Sequence, residues 1–457
     1  MATKANSVPH PTLVKVDPFV PADQQKGIHN RWHPDIPPVA TVKQGEVFKI
    51  ECVDWTGAQI GNNDTSDDIR DVDLTKVHNL SGPIAVEGAE PGDCLVVDIL
   101  DDALGLHRHL RAREWWRPFR EGIQQPRRKG NLGLQRSVSP LPHSAHPTHP
   151  HPLSHQASTR PRDTSPASAS PASRTPASSA PRPPAELLAT WNERETGLIA
   201  QHADAVPPVA FAPEPKGAYV GQDLDEEVRA KIAREGARTV PGREHGGNCD
   251  IKNLSRGSRC YFPVFVKGAN LSVGDLHFSQ GDGELSFCGA IEMAGIITFS
   301  TSVIKGGIEK FALKQPVFLP SPIDPLYSSK LIFEGISVDY HGDGKQYNMD
   351  ATVAYKQAAR NAIAYLEKLG FTREQAYLLL SAAPVESHVG AVVVSHFFLS
   401  SIAFAVGHLT LRTQDSPNAC VTLALPLGIF DFDILPREEG LTKHNLGQCA
   451  IRSDGVL

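Results

Sequence analysis

An abrupt change of composition at Leu104 most constrains how this chain can fold. From there to Pro184, Arg, His, Pro and Ser dominate, as in "HSAHPTHPHPLSHQ" and "SPASASPASRTPASSAPRPP", and no regular spacing of apolar residues remains. Such a segment cannot bury enough apolar surface to offset the entropy of ordering the chain, so we expect residues 104–184 to be disordered. The folded protein must then be built from the parts on either side.

The sequence before this segment, residues 1–103, has the pattern of β-strands. Apolar and polar residues alternate in "VATVKQGEVFKIECV" (39–53) and "PIAVEGAEPGDCLVVDI" (83–99), with Gly and Pro-Gly at the turns. Alternation of this kind predicts strands with one buried face. Residues 259–304 return to the same pattern after the disordered segment.

The sequence after this segment, residues 185–437, adds helices to the β pattern. Helical spacing of apolar residues occurs in "PAELLATWNERETGLIAQ", in residues 350–368 with Asp350 as a predicted N-cap, and again after Thr372. We therefore predict a mainly β protein with some α, in which 185–437 form a core with a C-terminal α/β part and 438–457 form a tail.

A charge-free apolar run, "VGAVVVSHFFLSSIAFAVGHLTL" (389–411), is long enough to cross a bilayer core. Two histidines and four hydroxyl side chains interrupt it, and aromatic or basic anchors do not flank it well. A buried helix or an inserted segment is therefore favoured over a transmembrane span. We expect no membrane partner.

Charge and cysteine usage exclude several other classes. The chain has 457 residues and a formal charge of -6, which does not favour nucleic-acid binding. Its seven cysteines are scattered and form no CxxC pair, and the N-terminus has no apolar signal region. These features predict a reducing, cytoplasmic location.

Two glycine-flanked stretches concentrate the residues that could carry chemistry. They are "REHGGNCDIKNLSRG" (243–257) and "GDLHFSQGDGELSFCG" (274–289). With one residue just downstream they supply ligands for a divalent metal ion such as zinc, and a spare carboxylate as a base. These residues are His245, Asp250, Asp275, His277, Asp282, Glu284 and Glu292. The alternative is that Asp and Gly only form β-turns here.

A nucleophilic side chain is a weaker hypothesis. The sequence contains no GxSxG motif. Cys249 lies near His245 in sequence, so a Cys/His nucleophile is conceivable, although a small buried cysteine is the simpler interpretation.

Several long motifs give the chain a specific resemblance. The run "EHGGNCDIKNLSRGSRCYFPVFVKGANLSVGDLHFSQGDGELSFCGAIEMAGIITF", with "HNRWHPDIPP", "GPIAVEGAEPGDCLVVDI" and "SPNACVTLALPLGIFDFDI", resembles the acetamidase/formamidase family, most closely its fungal-type formamidases. The matching parts are residues 1–103, 186–392 and 415–437. The resemblance implies sandwich-like and barrel-like β subdomains with C-terminal helices, a homo-oligomer, and hydrolysis of short aliphatic amides to a carboxylate and ammonia in nitrogen metabolism.

Two segments depart from the family pattern. Residues 104–184 stand where a family member would continue to an "HPG"-type turn, and no "HPG" occurs there. Residues 393–414 interrupt a region that would otherwise run from "ESHVGAVV" to "PNAC". Both segments begin and end abruptly, which suggests translated non-coding or frame-shifted sequence that could impair the site.

The resemblance places polar motif positions on particular residues. We predict Glu284 as general base, with His245, Asp282 and Asp54 as further catalytic candidates and His277 and Asp250 as metal ligands. For substrate binding we predict Gln280 and the backbone N–H groups of Gly246 and Gly247, which could face an oxyanion. The alternative is a catalytically inactive β-rich binding protein that keeps the fold.

Overall fold

The computed structural model describes residues 10–60, 68, 71–104, 175–204, 215–286, 289–321, 329–392, 418–436 and 440–446. The side chains of 101–104, 175–177 and 391 lie outside this description. All the described residues belong to one of two compact units, and the other unit, Arg127–Pro171, lies outside them.

The described residues form nineteen strands and five α-helices, so the predicted mainly β class with some α is confirmed. The strands are β1 (Thr12–Val14), β2 (Ile28–His29), β3 (Arg31–Trp32), β4 (Ala40–Val42), β5 (Val47–Cys52), β6 (Leu80–Val86), β7 (Cys94–Leu104), β8 (Thr175–Ala180), β9 (Ala237–Arg238), β10 (Gly242–Arg243), β11 (Gly246–Asn248), β12 (Arg259–Pro263), β13 (Leu271–Ser279), β14 (Ile291–Met293), β15 (Gly295–Ile304), β16 (Val317–Leu319), β17 (Lys330–Ile336), β18 (Glu386–Ala391) and β19 (Cys420–Pro426). The helices are α1 (Ala185–Gln201), α2 (Glu226–Glu235), α3 (Gly307–Lys310), α4 (Ala351–Leu369) and α5 (Arg373–Ala382).

Two large sheets share the main hydrophobic core. The six-stranded sheet has the order β1-β5-β15-β7-β12-β16, and the eight-stranded sheet has the path β10-β11-β8-β13-β6-β2 with β14 and β4 added. Ile50 and Phe299 from the first sheet lie in one buried cluster with Ile84 and Val273 from the second. Inward-facing residues of both sheets form this core, which is the packing of a β-sandwich.

Strand β8 differs from the sequence prediction. It lies inside the segment 104–184 that we expected to be disordered, yet Thr175–Ala180 pair antiparallel with β13 and β11. Ser178 and Ala180 of this strand are fully buried. The prediction of disorder is therefore wrong for these residues, while 105–174 lie outside the described residues.

The C-terminal part, residues 329–446 where described, is an α/β layer. Strands β17, β19 and β18 form a three-stranded antiparallel sheet, and Leu423 of β19 shares a core with Leu366 of α4 and Leu379 of α5. The predicted caps are present: the Asp350 side chain accepts from two backbone N–H groups, and Thr372 forms a capping box. This layer contacts the sandwich beside the C-terminal end of β13, because Ser279 donates to the Ala382 carbonyl.

Among the described residues, no helix is both long and apolar enough to cross a membrane. Most of the apolar run considered above, residues 393–411, lies outside the described residues.

Candidate active site

The end of β13 and the turn after it assemble a buried cluster of acids around one histidine. Asp275 and His277 lie two residues apart on β13, the spacing that puts side chains on the same face of a strand. On the neighbouring strand β14, Glu292 pairs directly with His277. Local strand geometry thus brings three of the predicted ligand residues together.

The two ring nitrogens of His277 face different acids. Nε2 lies 3.4 Å from Oδ1 of Asp275 and 3.3 Å from Oε1 of Glu292. Nδ1 lies 3.5 Å from Oε1 of Glu284 and 2.8 Å from Oε1 of Gln280. His277 is therefore shared by two groups with metal-binding residue types, Asp275–His277–Glu292 and Asp250–His277–Glu284.

Gln280 distinguishes these two groups. Its side-chain nitrogen donates to the Asp250 carbonyl, so its side-chain oxygen accepts from Nδ1–H of His277. In the neutral form of His277 the proton is thereby placed on Nδ1, and Nε2 has the lone pair that a metal ion needs. Gln280 was predicted to bind substrate, and the structure places its side chain between His277 and the Asp250 carbonyl.

His78 is a member of the cluster that the sequence analysis missed. Its Nδ1 lies 3.2 Å from Oδ2 of Asp275, and its ring packs against Trp55 with centroids 5.3 Å apart. Asp275 thus lies between two imidazoles. His78 follows no glycine-rich motif, and no signal in its own sequence neighbourhood marks it.

The charges around His277 shift its pKa and that of Asp275 in opposite directions. Burial acts to lower the pKa of His277, but Glu292 and Asp275 outweigh it and the pKa lies well above the usual range. Burial acts to raise the pKa of Asp275, but His78 and His277 outweigh it and the pKa is lowered. Asp275 is therefore an anion that holds both imidazoles.

If ionised, the remaining acids of the cluster would carry more negative charge than the histidines compensate, and their pKa values are raised accordingly. Burial, with repulsion from neighbouring carboxylates, raises the pKa of Glu284 and of Glu292 to about 8 each and that of Asp250 to about 6. Glu284 Oε1 and Glu292 Oε2 are buried without a hydrogen-bond partner among the described residues. Unpartnered buried carboxylate oxygens are costly, and either protonation or a bound cation would lower that cost.

Left-handed backbone conformations recur at this site. Asp250, Asp275 and Glu284 have φ of 48°, 55° and 37°, although none is glycine. Non-glycine residues in this region are strained, and such residues cluster at active sites. Gly289 lies so close to Glu284 that a Cβ there would be 3.2 Å from the carboxylate.

His245 is packed in a different environment. Its ring contacts Trp32 and Trp191, each with centroids 4.6 Å apart, and neither ring nitrogen has a hydrogen-bond partner among the described residues. Burial, with the charge of Arg243, lowers the pKa of His245 well below its usual value. His245, which we predicted as a catalytic residue, thus lies between two tryptophan rings.

The remaining predicted site residues also have hydrogen-bond or ion-pair partners within the protein. Gly246 and Gly247 pair in the sheet with β10 and β8, so their backbone is part of a ladder rather than an open anion site. Asp282 lies 3.3 Å from Lys252 Nζ, and Asp54 accepts from the Thr56 N–H in its own turn. These contacts favour positioning roles for Asp282 and Asp54.

A buried histidine among carboxylates, at the edge of a mainly β core, is chemically compatible with the activation of water. A model of the Acetamidase/Formamidase family matches residues 15–432. The chain therefore belongs to the acetamidase/formamidase family, and as a member of it is an amidase.

The relatives agree with this assignment over most of the chain. A formamidase of Methylophilus methylotrophus is 48% identical, covering 94% of this chain and 96% of its own. A putative formamidase of Schizosaccharomyces pombe is 42% identical (96% and 98%), and an acetamidase of Mycolicibacterium smegmatis is 49% identical (80% and 87%). The solved gamma-lactamase from Delftia acidovorans is 43% identical with a TM-score of 0.75, covering 96% of this chain and 98% of its own.

Proposed function

We propose that this amidase hydrolyses formamide and other short aliphatic amides to a carboxylate and ammonia. The observation that carries the proposal is the acid cluster around His277, in which the Glu284 side chain is 19% exposed. The names of two formamidase relatives support formamide as the first substrate to test. The comparisons give no support to the inactive binding protein.

Glu284 is proposed as the general base. Its carboxylate takes a proton from the attacking water, the oxygen of that water bonds to the amide carbon, and the proton is later passed to the departing nitrogen as the C–N bond breaks. Burial holds its pKa at about 8, nearer to neutral pH than an exposed glutamate. A base with a pKa near the working pH serves both proton transfers.

The donor set fits a divalent cation, for which zinc is the first candidate. The ligands would be Nε2 of His277 with Asp275 and Glu292, because Gln280 accepts the Nδ1 proton and Glu292 Oε2 is otherwise unpartnered. When bound, such a cation brings the pKa of a water ligand towards 7. Asp250, predicted as a ligand, then lies on the Nδ1 side and raises the pKa of Glu284 by repulsion.

The test is Glu284→Gln, which keeps the size of the side chain and removes the proton acceptor. We expect kcat for ammonia release from formamide to fall by about 10² or more. The matched control is Glu244→Gln, because Glu244 is bound to Trp191 Nε1 and Arg194 rather than to the cluster. Full activity of Glu284→Gln would overturn the base assignment.

We also propose a cytoplasmic homo-oligomer. The described cysteines support a reducing compartment, since all of them are free thiols: Cys52, Cys94, Cys249, Cys260 and Cys420. Light scattering of the purified protein tests the assembly, and a monomer at micromolar concentration would contradict it.

A further inference from the structure

Helix α5 holds the turn that carries Glu284 at three points, and all three involve Ser381. The Ser381 carbonyl accepts from the N–H of Gly281 at 2.8 Å. Its hydroxyl oxygen accepts from the N–H of Ser286 at 3.1 Å, and its hydroxyl hydrogen is donated to the carbonyl of Gly289. One hydroxyl thus binds two points of the chain after Glu284, at Ser286 and at Gly289.

The position of Glu284 depends on this backbone. Oε1 of Glu284 has no hydrogen-bond partner among the described residues, so the carboxylate is located by the chain around it. Gly289, to which Ser381 donates, lies directly against that carboxylate. A shift of Gly289 would therefore change the distance between Glu284 and Nδ1 of His277, which is now 3.5 Å.

Neighbouring contacts hold the start of the same turn. The Asp282 N–H donates to the Val385 carbonyl at 3.1 Å, and the Tyr355 hydroxyl donates to the Asp282 carbonyl at 3.1 Å. These contacts lie before Glu284 in sequence. After Glu284, the described hydrogen bonds from the C-terminal layer to the turn are the two made by the Ser381 hydroxyl. The contacts of Val385 and Tyr355 hold only the part of the turn before Glu284, so they do not replace this hydroxyl.

We propose that Ser381 is a positioning residue for amide hydrolysis: its buried hydroxyl fixes the backbone on the C-terminal side of Glu284 and thereby sets the place of the general base. The proposal rests on the proposed role of Glu284. Under this proposal, helix α5 of the C-terminal layer contributes to catalysis at a site on the β-sandwich. Ser381 is 1% exposed and touches none of the reacting atoms in this role.

The first test is Ser381→Ala, measured against Ser337→Ala. Ser337 is also fully buried in the C-terminal layer, and its hydroxyl accepts a backbone N–H, that of Ala419, at 2.9 Å. Both variants lose one buried hydroxyl, so a similar fall in Tm is expected for each. Only Ser381→Ala should lower kcat on formamide, by about 10- to 100-fold with little change in KM. Loss of a residue that supports a catalytic group, or a small misplacement of that group, typically has an effect of this size.

Two further variants keep the test decisive if Ser381→Ala folds poorly. Ser381→Thr retains the hydroxyl and should keep most of kcat, whereas Ser381→Cys retains the volume with a weaker donor and should be intermediate. Amide hydrogen exchange at Ser286 should quicken in Ser381→Cys while exchange in β13 stays unchanged. Equal kcat in the Cys and Thr variants would overturn the proposal.

The double variant Ser381→Ala with Glu284→Gln separates the two proposals. If Ser381 acts through Glu284, it adds little to the loss already caused by Glu284→Gln. Losses that multiply would overturn the Ser381 proposal while leaving the base assignment in place. A fully active Glu284→Gln variant would instead overturn the base assignment itself.

Discussion

His277 and His245 occupy similar sequence motifs but opposite environments. Each is followed by glycine and acidic residues, and each is almost fully buried, with 1% and 0% exposure. His277 is surrounded by carboxylates, and its pKa is raised; His245 lies between two tryptophans, and its pKa is lowered. Burial alone therefore does not identify a catalytic histidine, whereas the groups that contact its nitrogens do.

Exchange of each histidine for alanine should give the largest difference between the two regions. His277→Ala removes a proposed cation ligand, and kcat/KM on formamide should fall by about 10³-fold or more, since a catalytic cation contributes several kcal/mol. Elemental analysis should show any co-purifying metal lost with the activity. His245→Ala should retain the metal and lose mainly stability, because a cavity forms between Trp32 and Trp191.

The reverse pattern would contradict this distinction. If His245→Ala lost the metal while His277→Ala kept it, the cluster around His277 would not be the metal site. Activity should be compared at a temperature where both variants are folded, as judged by circular dichroism.

A smaller effect is expected from Gln280→Leu, which tests how His277 is oriented. Leucine fills similar space but cannot accept the Nδ1 proton, so Nε2 is no longer reserved for a ligand. We expect metal affinity to fall about 10- to 100-fold, measured by competition with a chelator. Gln357→Leu is the control, since Gln357 is a buried glutamine that donates to Asp339 in the C-terminal layer. Unchanged affinity in Gln280→Leu would place the metal on the Nδ1 side.

The fold was more predictable than the site because strand and helix patterns are local. The alternation in β5 and β7 and the caps Asp350 and Thr372 can be found within a few residues of sequence. Asp275 and His277 were also predictable, since two-residue spacing on a strand gives one face.

The partners of the two histidines could not be found in this way. His78 reaches Asp275 only because β6 pairs with β13, and Trp32 and Trp191 meet His245 from distant parts of the chain. From the sequence alone, the two motifs were therefore predicted to have equivalent roles. The difference between them depends on tertiary contacts. The same reason explains β8, where Ala180 is buried in a cluster with Trp191 and, from a distant part of the chain, Trp32.

The smallest expected effect is the pH dependence of stability contributed by His245. Its pKa in the folded protein lies well below the ordinary value of 6.5, because burial disfavours the charged ring. Above pH 6.5 both folded and unfolded states hold it neutral; below pH 6.5 the unfolded state binds a proton that the folded state resists. The free energy of unfolding should therefore fall by about 1.4 kcal/mol per pH unit below 6.5 from this residue alone.

His245→Phe removes this contribution with a ring of similar shape. Because neither nitrogen of His245 has a hydrogen-bond partner in the described structure, the exchange leaves no polar group unpaired and should be nearly neutral at pH 7.5. Urea unfolding at pH 7.5, 6.5 and 5.5 should show the variant gaining on the parent as the pH falls. The exposed His202, changed to Phe, is the control and should not alter the slope. If His245→Phe left the pH dependence of the free energy of unfolding unchanged, His245 would be protonated in the folded protein as it is in the unfolded one. His245 and His277 would then differ in the groups that contact them but not in their charge.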